Sequence, residues 1–215
     1  MKIAVIGSTG FVGKNITSEL INRGHSVTGI SRKGNGTPQN NLTNIAADVL
    51  NVQALTDILK GHDVVINSFN PGWANPNIYN DFIAGSKAIA EAVKLAGIQR
   101  LIIIGGAGSL YVSEGVQVID SPHFPKEYYA GASAARDYLV MIQDEKELDW
   151  VFFSPAIEMH QGITTGRTGK YRLGGDSPVF DDNNRSVLSV EDLAIAIADE
   201  VEQARHHRQR FTAAY

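Results

Sequence analysis

The chain of 215 residues is 43% hydrophobic and 20% charged, with a formal net charge of −4 at pH 7 and no cysteine. These proportions describe an ordinary globular chain, long enough for one domain over residues 1–215 with a sizeable core. They exclude disulfides, thiolate zinc sites and a cysteine nucleophile, and leave neither a basic surplus for nucleic acid nor an apolar run of membrane-spanning length.

The chain opens on KIAVIGSTGFVG, residues 2–13. Ile3-Ala4-Val5-Ile6 is a continuous apolar run that breaks at Gly7, the pattern of a strand buried on both faces. Val12, Ile16 and Leu20 recur at i, i+4 and i+8 and predict a helix with one apolar face. Gly7, Gly10 and Gly13 therefore join a buried strand to a helix. Gly7 allows the tight turn, Gly10 keeps a side chain out of the path of a pyrophosphate, and Gly13 lets helix and strand pack together. The helix N-terminus adds unpaired N–H groups and a partial positive charge. A dinucleotide is thus expected on Gly7, Thr9, Gly10, Phe11, Val12 and Gly13, with an ordinary glycine-rich turn as the alternative. The GxxGxxG spacing, followed by further strand–helix units, resembles the short-chain dehydrogenase/reductase superfamily, especially its extended and atypical branches. A first strand starting at residue 2 leaves no room for a leader, so a cytoplasmic location is expected.

A turn at residues 22–25 leads to a second strand, 26–31 (SVTGIS). A carboxylate at its end would hold the ribose hydroxyls of NAD. Ser31, Arg32 and Lys33 offer a hydroxyl and two cations instead, which suit a 2′-phosphate. NADP is favoured, with NAD possible; a solvated basic turn is the bland alternative. After a Gly/Asn/Pro loop at 34–41 comes a third strand, 42–47. The resemblance implies that Asp48 and Val49 face the adenine; a turn or capping carboxylate is the equal alternative for Asp48. Asn51 is placed to cap a helix whose apolar face is Ala54, Leu55, Ile58 and Leu59. A fourth strand spans 63–68, and ligands of open parallel sheets bind at such carboxyl ends. Asn67, Ser68 and Phe69 are therefore expected beside the nicotinamide side of a cofactor. In the following NPGWANPN loop, Trp73 either stacks on a planar substrate ring or plugs the loop against the body. A helix at 78–96 and a strand at 100–105 complete the pattern of right-handed crossovers, an α/β Rossmann-type doubly wound parallel sheet.

In ordinary short-chain reductases, a Ser at the end of the fifth strand and a later Tyr-x-x-x-Lys hold the substrate carbonyl. Here the strand leaves through Gly105-Gly106-Ala107-Gly108-Ser109. Gly106 and Ala107 are expected to face the cofactor, and Ser109 lies slightly further along. Tyr128 and Tyr129 stand at the start of the next helix, but four residues on come Ala132 and Ser133 rather than lysine. Ser109 and Tyr128 are the catalytic candidates. A phenol without a nearby cation is a poor proton carrier near neutrality, which weighs against alcohol–ketone interconversion, epimerisation and dehydration. Hydride delivery to a pre-oriented flavin or quinone needs alignment more than proton transfer.

The segments GGAGSL, EYYAGASAARDYLVMI, DWVFFSPA, RTGKYRLGGD and SVEDLAIAIADEVE resemble atypical short-chain proteins described as NADH-flavin reductases. They are also similar to biliverdin reductase B-type flavin reductases and to regulators of the nitrogen-metabolite-repression class. The resemblance implies a sixth strand at 150–154 and places Ser154, Pro155 and Ala156 by the nicotinamide; a plain strand-ending proline is the alternative. Residues 156–188 read as a substrate-side insertion, with a mobile loop and a small hairpin through 170–173. Arg167 and Lys170 there either attract an anion or are simply solvated. A short strand at 185–188 precedes a helix capped by Ser189 with Asp192 at N3 and a buried stripe of Val190, Leu193, Ala194, Ile197 and Val201. Residues 210–214 are expected to add an edge strand. His206-His207, adjacent near a helix end, are expected to project differently and to lack carboxylate company, and no metal site is expected. The implied function is an NAD(P)H-dependent oxidoreductase passing hydride from NADPH to FMN, FAD or a quinone taken as substrate. The alternatives are a non-catalytic NAD(P)-binding sensor that engages a partner protein, and an epimerase or dehydratase. Oligomeric state is left open, since core-facing and dimer-facing helix stripes look alike.

Overall fold

Strand β1 (Lys2–Ile6) sends Ile3 and Val5 to one side of a sheet and Ala4 and Ile6 to the other, and all four are buried. This two-sided burial is why the run carries no polar alternation. The computed structural model describes residues 1–37 and 39–215; Pro38, within the expected 34–41 loop, lies outside the described residues. After β1 come α1 (Phe11–Asn22), β2 (Ser26–Ser31), β3 (Leu42–Ala46), α2 (Val52–Leu59), β4 (Val64–Asn67), α3 (Ile78–Leu95) and β5 (Arg100–Ile104). They are followed by β6 (Tyr111–Ser113), β7 (Val116–Gln117), α4 (Lys126–Ile142), β8 (Asp149–Ser154), β9 (Arg172–Gly174), α5 (Val190–Gln203) and β10 (Gln209–Ala214).

The main sheet has eight strands in the order β3–β2–β1–β4–β5–β8–β10–β9, parallel except for β9. It is a Rossmann-like α/β fold. Leu55 and Leu59 of α2, Phe82, Ile89 and Val93 of α3, and Ala134, Tyr138 and Leu139 of α4 cover one face, against Ala4, Ile6, Val65, Leu101, Ile103 and Phe152. Ile16 and Leu20 of α1 and Leu193, Ile197 and Val201 of α5 cover the other, against Ile3, Val5, Ile66, Val151, Phe153 and Phe211. Each such side chain contributes roughly 1.5–3 kcal/mol on burial, so the two layers supply the driving force for the fold. Asn51 caps α2 as expected, its Oδ1 accepting from Ala54 N at 3.1 Å. Ala54 itself is exposed, and Leu55 and Leu59 carry the apolar face.

Three expectations for the C-terminal third are corrected. β10 is not an edge strand: it lies between β8 and β9, with Thr212 beside both Ser154 and Gly174. The segment around 170–173 forms no hairpin with a neighbour; β9 pairs antiparallel with β10, so the chain closes the sheet from a distance. Residues 185–188 make only a single bridge, Glu158 to Val187, rather than a strand. A small hairpin of β6 and β7, with Gly115 turning at φ 72°, follows β5 instead.

Candidate nucleotide-binding site

Register aligns the carboxyl ends of the central strands. Ile6 lies beside Ile30 on β2 and Asn67 on β4, and Ile104 on β5 lies beside Phe153 on β8. The chain leaves β1 at Gly7 with φ 82°, and a Cβ there would come within 2.5 Å of the Ser68 carbonyl oxygen. Gly13 is tighter still: its Cβ would stand 2.2 Å from the Gly7 carbonyl oxygen. The first turn of α1 therefore rests directly on the Gly7 peptide. Gly10 N donates to Gly7 O at 3.0 Å and closes the loop. A Cβ on Gly10 would touch only Gly7 O, at 3.2 Å, and otherwise enter open space.

Helix α1 has no side-chain N-cap and no acidic residue in its first turn. The N–H groups of Phe11, Val12 and Gly13 find no acceptor among the described residues. Thr9 and Gly10 are exposed, and Phe11 and Val12 are half-buried. Unpaired donors, the helix dipole and a cradle that a side chain at Gly10 would fill suit a pyrophosphate.

The neighbouring exits are built by local hydrogen bonds. Ser68 Oγ donates to Ile6 O at 2.8 Å, and Asn67 Oδ1 accepts from Phe69 N at 3.0 Å. The Phe69 ring lies on α3 at Gly85, where a Cβ would meet it at 2.4 Å. Ser31 Oγ accepts from Gly34 N at 3.1 Å, leaving Arg32 and Lys33 exposed with no ion-pair partner among the described residues. Asp48 is an exposed turn carboxylate, Oδ1 accepting from Leu50 N at 3.0 Å, while Val49 is buried against α2.

After β5, Gly106 and Ala107 are half-buried, and Gly108 lies against α4, where its Cβ would stand 3.2 Å from that of Ala132. Ser154, Pro155 and Ala156 are buried at the end of β8. Ser154 Oγ and its register neighbour Thr212 Oγ1 are both buried and find no partner among the described residues.

The two catalytic candidates stand apart. Ser109 is buried, and Arg210 Nη1 donates to its carbonyl at 2.7 Å and to its Oγ at 3.2 Å. The same guanidinium is held by Asp176, with Nε at 2.9 Å from the carboxylate. Tyr128 is 47% exposed and meets Trp73 edge-on, centroids 5.2 Å apart. No hydrogen bond joins Ser109 to Tyr128 among the described residues, and Ala132 and Ser133 are buried where a lysine would stand. Tyr138, deeper in α4, donates to Ser86 O at 3.1 Å, and burial raises its phenol well above the ordinary range.

The substrate-side segment is tied down rather than free. Arg167 donates to both Glu19 oxygens, at 3.0 and 3.1 Å, so its charge is spent on α1. Asp192, fully buried, accepts from Thr168 N at 2.9 Å, Gly169 N at 2.8 Å and Tyr215 Oη at 2.7 Å. The sequence marks Asp192 only as the N3 position of a capped helix. Ser189 Oγ does cap the helix, accepting from Asp192 N at 3.1 Å. Lys170 stays exposed. The histidine pair does have carboxylate company, contrary to expectation: His206 is bonded to Glu200 at 2.6 Å and stacked on Phe211, and His207 bonds to Asp149 at 3.0 Å. No described helix is long and apolar enough to cross a membrane.

A mostly parallel sheet with a glycine turn and an uncapped helix N-terminus at its switch point is the arrangement of Rossmann-type nucleotide-binding proteins. The chain belongs to the NAD(P)H-binding family, whose model matches residues 7–203. It is 35% identical over 214 residues to the uncharacterised protein YwnB of Bacillus subtilis, covering 99% of this chain and 97% of that one. A Bacteroides thetaiotaomicron protein provisionally assigned as an epimerase superposes with a TM-score of 0.90 at 40% identity, over 100% of this chain and 96% of the other. A Streptococcus pneumoniae protein provisionally assigned as an NADH-flavin reductase superposes with a TM-score of 0.85 at 33% identity, over 100% and 99%. The family around this chain thus carries both reductase and epimerase assignments.

Proposed function

We propose that the chain, acting as one NAD(P)-binding unit, is an NADPH-dependent oxidoreductase whose acceptor is a flavin or quinone-like planar ring. The observation that carries this reading is an anion-ready α1 N-terminus beside a proton-transfer position that lacks lysine. In the proposed pose, the Phe11, Val12 and Gly13 N–H groups hold the pyrophosphate, and Arg32 and Lys33 hold the 2′-phosphate. Asp48 and Val49 border the adenine, while Asn67, Ser68, Phe69, Gly106 and Ala107 line the nicotinamide side. Ser154, Pro155 and Ala156 shape the backbone against its carboxamide. The bound cofactor supplies a hydride. A flavin or quinone that accepts a hydride becomes an anion whose proton can come from water, so the protein need only align the two rings and exclude competing reactions. Tyr128 remains a candidate for contact with the acceptor, not for a tyrosine–lysine relay; Ser109, buried and held by Arg210, is withdrawn as a catalytic candidate.

The Streptococcus neighbour's assignment supports a flavin acceptor, and the buried Ala132 and Ser133 weigh against the epimerase chemistry assigned to the Bacteroides one. The same substitution favours a second reading, a sensor that binds NADP(H) without turnover and engages a partner protein. NADPH oxidation followed at 340 nm with FMN, riboflavin or menadione decides between them. Enzyme-dependent oxidation is expected; tight NADPH binding with no acceptor turned over would leave the sensor.

A further inference from the structure

The segment after β4 and the first turn of α4 bring aromatic side chains together. Trp73 comes from the segment after β4, and its six-membered ring rests on α4 at Gly131, where a Cβ would lie 2.6 Å from Cζ3. Only glycine at that position lets the indole settle there. Tyr128, in the first turn of α4, meets the indole at an interplanar angle of 80°, and Tyr129 meets Phe124 at 79°. An edge-to-face pair leaves a ring face unused, and a further flat ring prefers to stack offset on such a face. Trp73 remains 56% exposed and Tyr128 47%, whereas the chain's other tryptophan, Trp150, is 3% exposed.

The location is specific. Ala132 and Ala135 of α4 abut the exit of β5, their Cβ atoms 3.2 and 3.6 Å from where Cβ atoms of Gly108 and Gly106 would stand. Tyr128 lies four residues nearer the helix start, about 6 Å along the axis. Trp73 follows the β4 exit at Asn67-Ser68-Phe69. Tyr128 thus stands on the stretch of α4 that leads to the β5 exit, and Trp73, from the segment after β4, packs against it; the proposed nicotinamide site lies beyond the ends of those two strands.

Resting on that reading, we infer that Trp73 and Tyr128 form the stacking platform for the acceptor ring and select flat conjugated acceptors such as an isoalloxazine. The two residues are specificity determinants; Gly131 is a positioning residue that seats the indole.

The test uses the full chain saturated with NADP, so that no turnover occurs, and follows quenching of riboflavin emission on titration with protein. W73L is expected to weaken riboflavin at least tenfold, Y128L by a smaller factor, and W73F to restore part of the loss. KM for FMN should rise in parallel with kcat little changed, while the thermal shift produced by NADP stays at the wild-type value in every variant. Riboflavin affinity within twofold of wild type in both leucine variants overturns the platform, as does a wild-type chain that binds no riboflavin. Turnover with unchanged KM in the variants removes the platform and leaves the oxidoreductase standing. Variant-sensitive riboflavin binding without any NADPH oxidation does the reverse.

Discussion

Arg32 and Lys33 are held outward by the Ser31–Gly34 hydrogen bond and carry no structural duty that the fold would miss. A substitution there reads nucleotide choice rather than stability. Arg32→Glu is expected to weaken NADPH by roughly 1–3 kcal/mol while leaving NADH within a factor of a few, because a charge-assisted bond to the 2′-phosphate exists in only one ligand. Equal weakening of both in a binding titration would remove Arg32 from the 2′-phosphate site. Gly13 is the opposite kind of residue. With Gly7 O only 2.2 Å from its would-be Cβ, Gly13→Ala must push α1 off the turn. The expected cost is about 1–3 kcal/mol of stability from overpacking, with loss of NADPH binding beyond what that destabilisation explains. Thermal denaturation with and without NADPH separates the two effects. The sequence announced Gly7, Gly10 and Gly13 because glycine spacing encodes backbone approach directly. It did not announce Arg210 locking Ser109, because nothing local links residues 101 positions apart.

At the scale of elements, the segment between β8 and β9 is fastened to α5 chiefly through the buried Asp192 carboxylate, with Ser189 Oγ donating to Gly166 O and Tyr171 Oη to Asp199 beside it. Asp192 takes two backbone N–H groups and two hydroxyls, from Thr168, Gly169 and Tyr215. Asp192→Ala removes the charged acceptor from these donors, and a hydrogen bond to a charged group is worth roughly 1.5–3 kcal/mol. A Tm lower by several degrees is expected, together with faster tryptic cleavage after Arg167 in the folded protein. A wild-type cleavage rate in the variant would show that the segment is held by other contacts. Strands β1, β4, β5 and β8 were legible because each is an apolar run feeding both core layers. Strand β9 was not: Arg172 and Leu173 are exposed, it is three residues long, and its partner follows some forty positions later. Periodicity reports burial, and an exposed capping strand has none to report. The same blindness assigned 210–214 to the edge, since β10 looks terminal until β9 returns to cover it.

Across the whole molecule the two edges of the sheet are electrostatically unlike. At the amino edge Arg100 joins Asp149 and Glu200, and His206 joins Glu200. Arg23 gathers Glu19, Asp199 and Glu202 between α1 and α5. At the carboxyl edge the cations of residues 32–33 and the α1 N–H groups stand unpaired among the described residues. The carboxyl edge has pairs of its own, Arg185 with Glu158 and Arg210 with Asp176, but the cations beside the glycine turn are left to meet an anion. Glu19 fastens α1 to α5 through Arg23 and to the substrate-side segment through Arg167. Burial pushes its carboxyl up, but the Arg167 and Arg23 guanidiniums more than reverse this and hold it below the ordinary value of 4.5. The unfolded chain therefore takes up this proton first as pH falls. The stabilisation from Glu19 is complete above about pH 4.5 and disappears as pH drops through the lower, folded value. Glu19→Gln should then depress Tm at pH 7, by roughly 2–4 °C for each kcal/mol lost, and the gap from wild type should narrow progressively as pH falls below about 4.5. A gap that does not narrow at all below about pH 4.5 would mean that Glu19 acts through packing, and that the junction of α1, α5 and residue 167 does not depend on its charge.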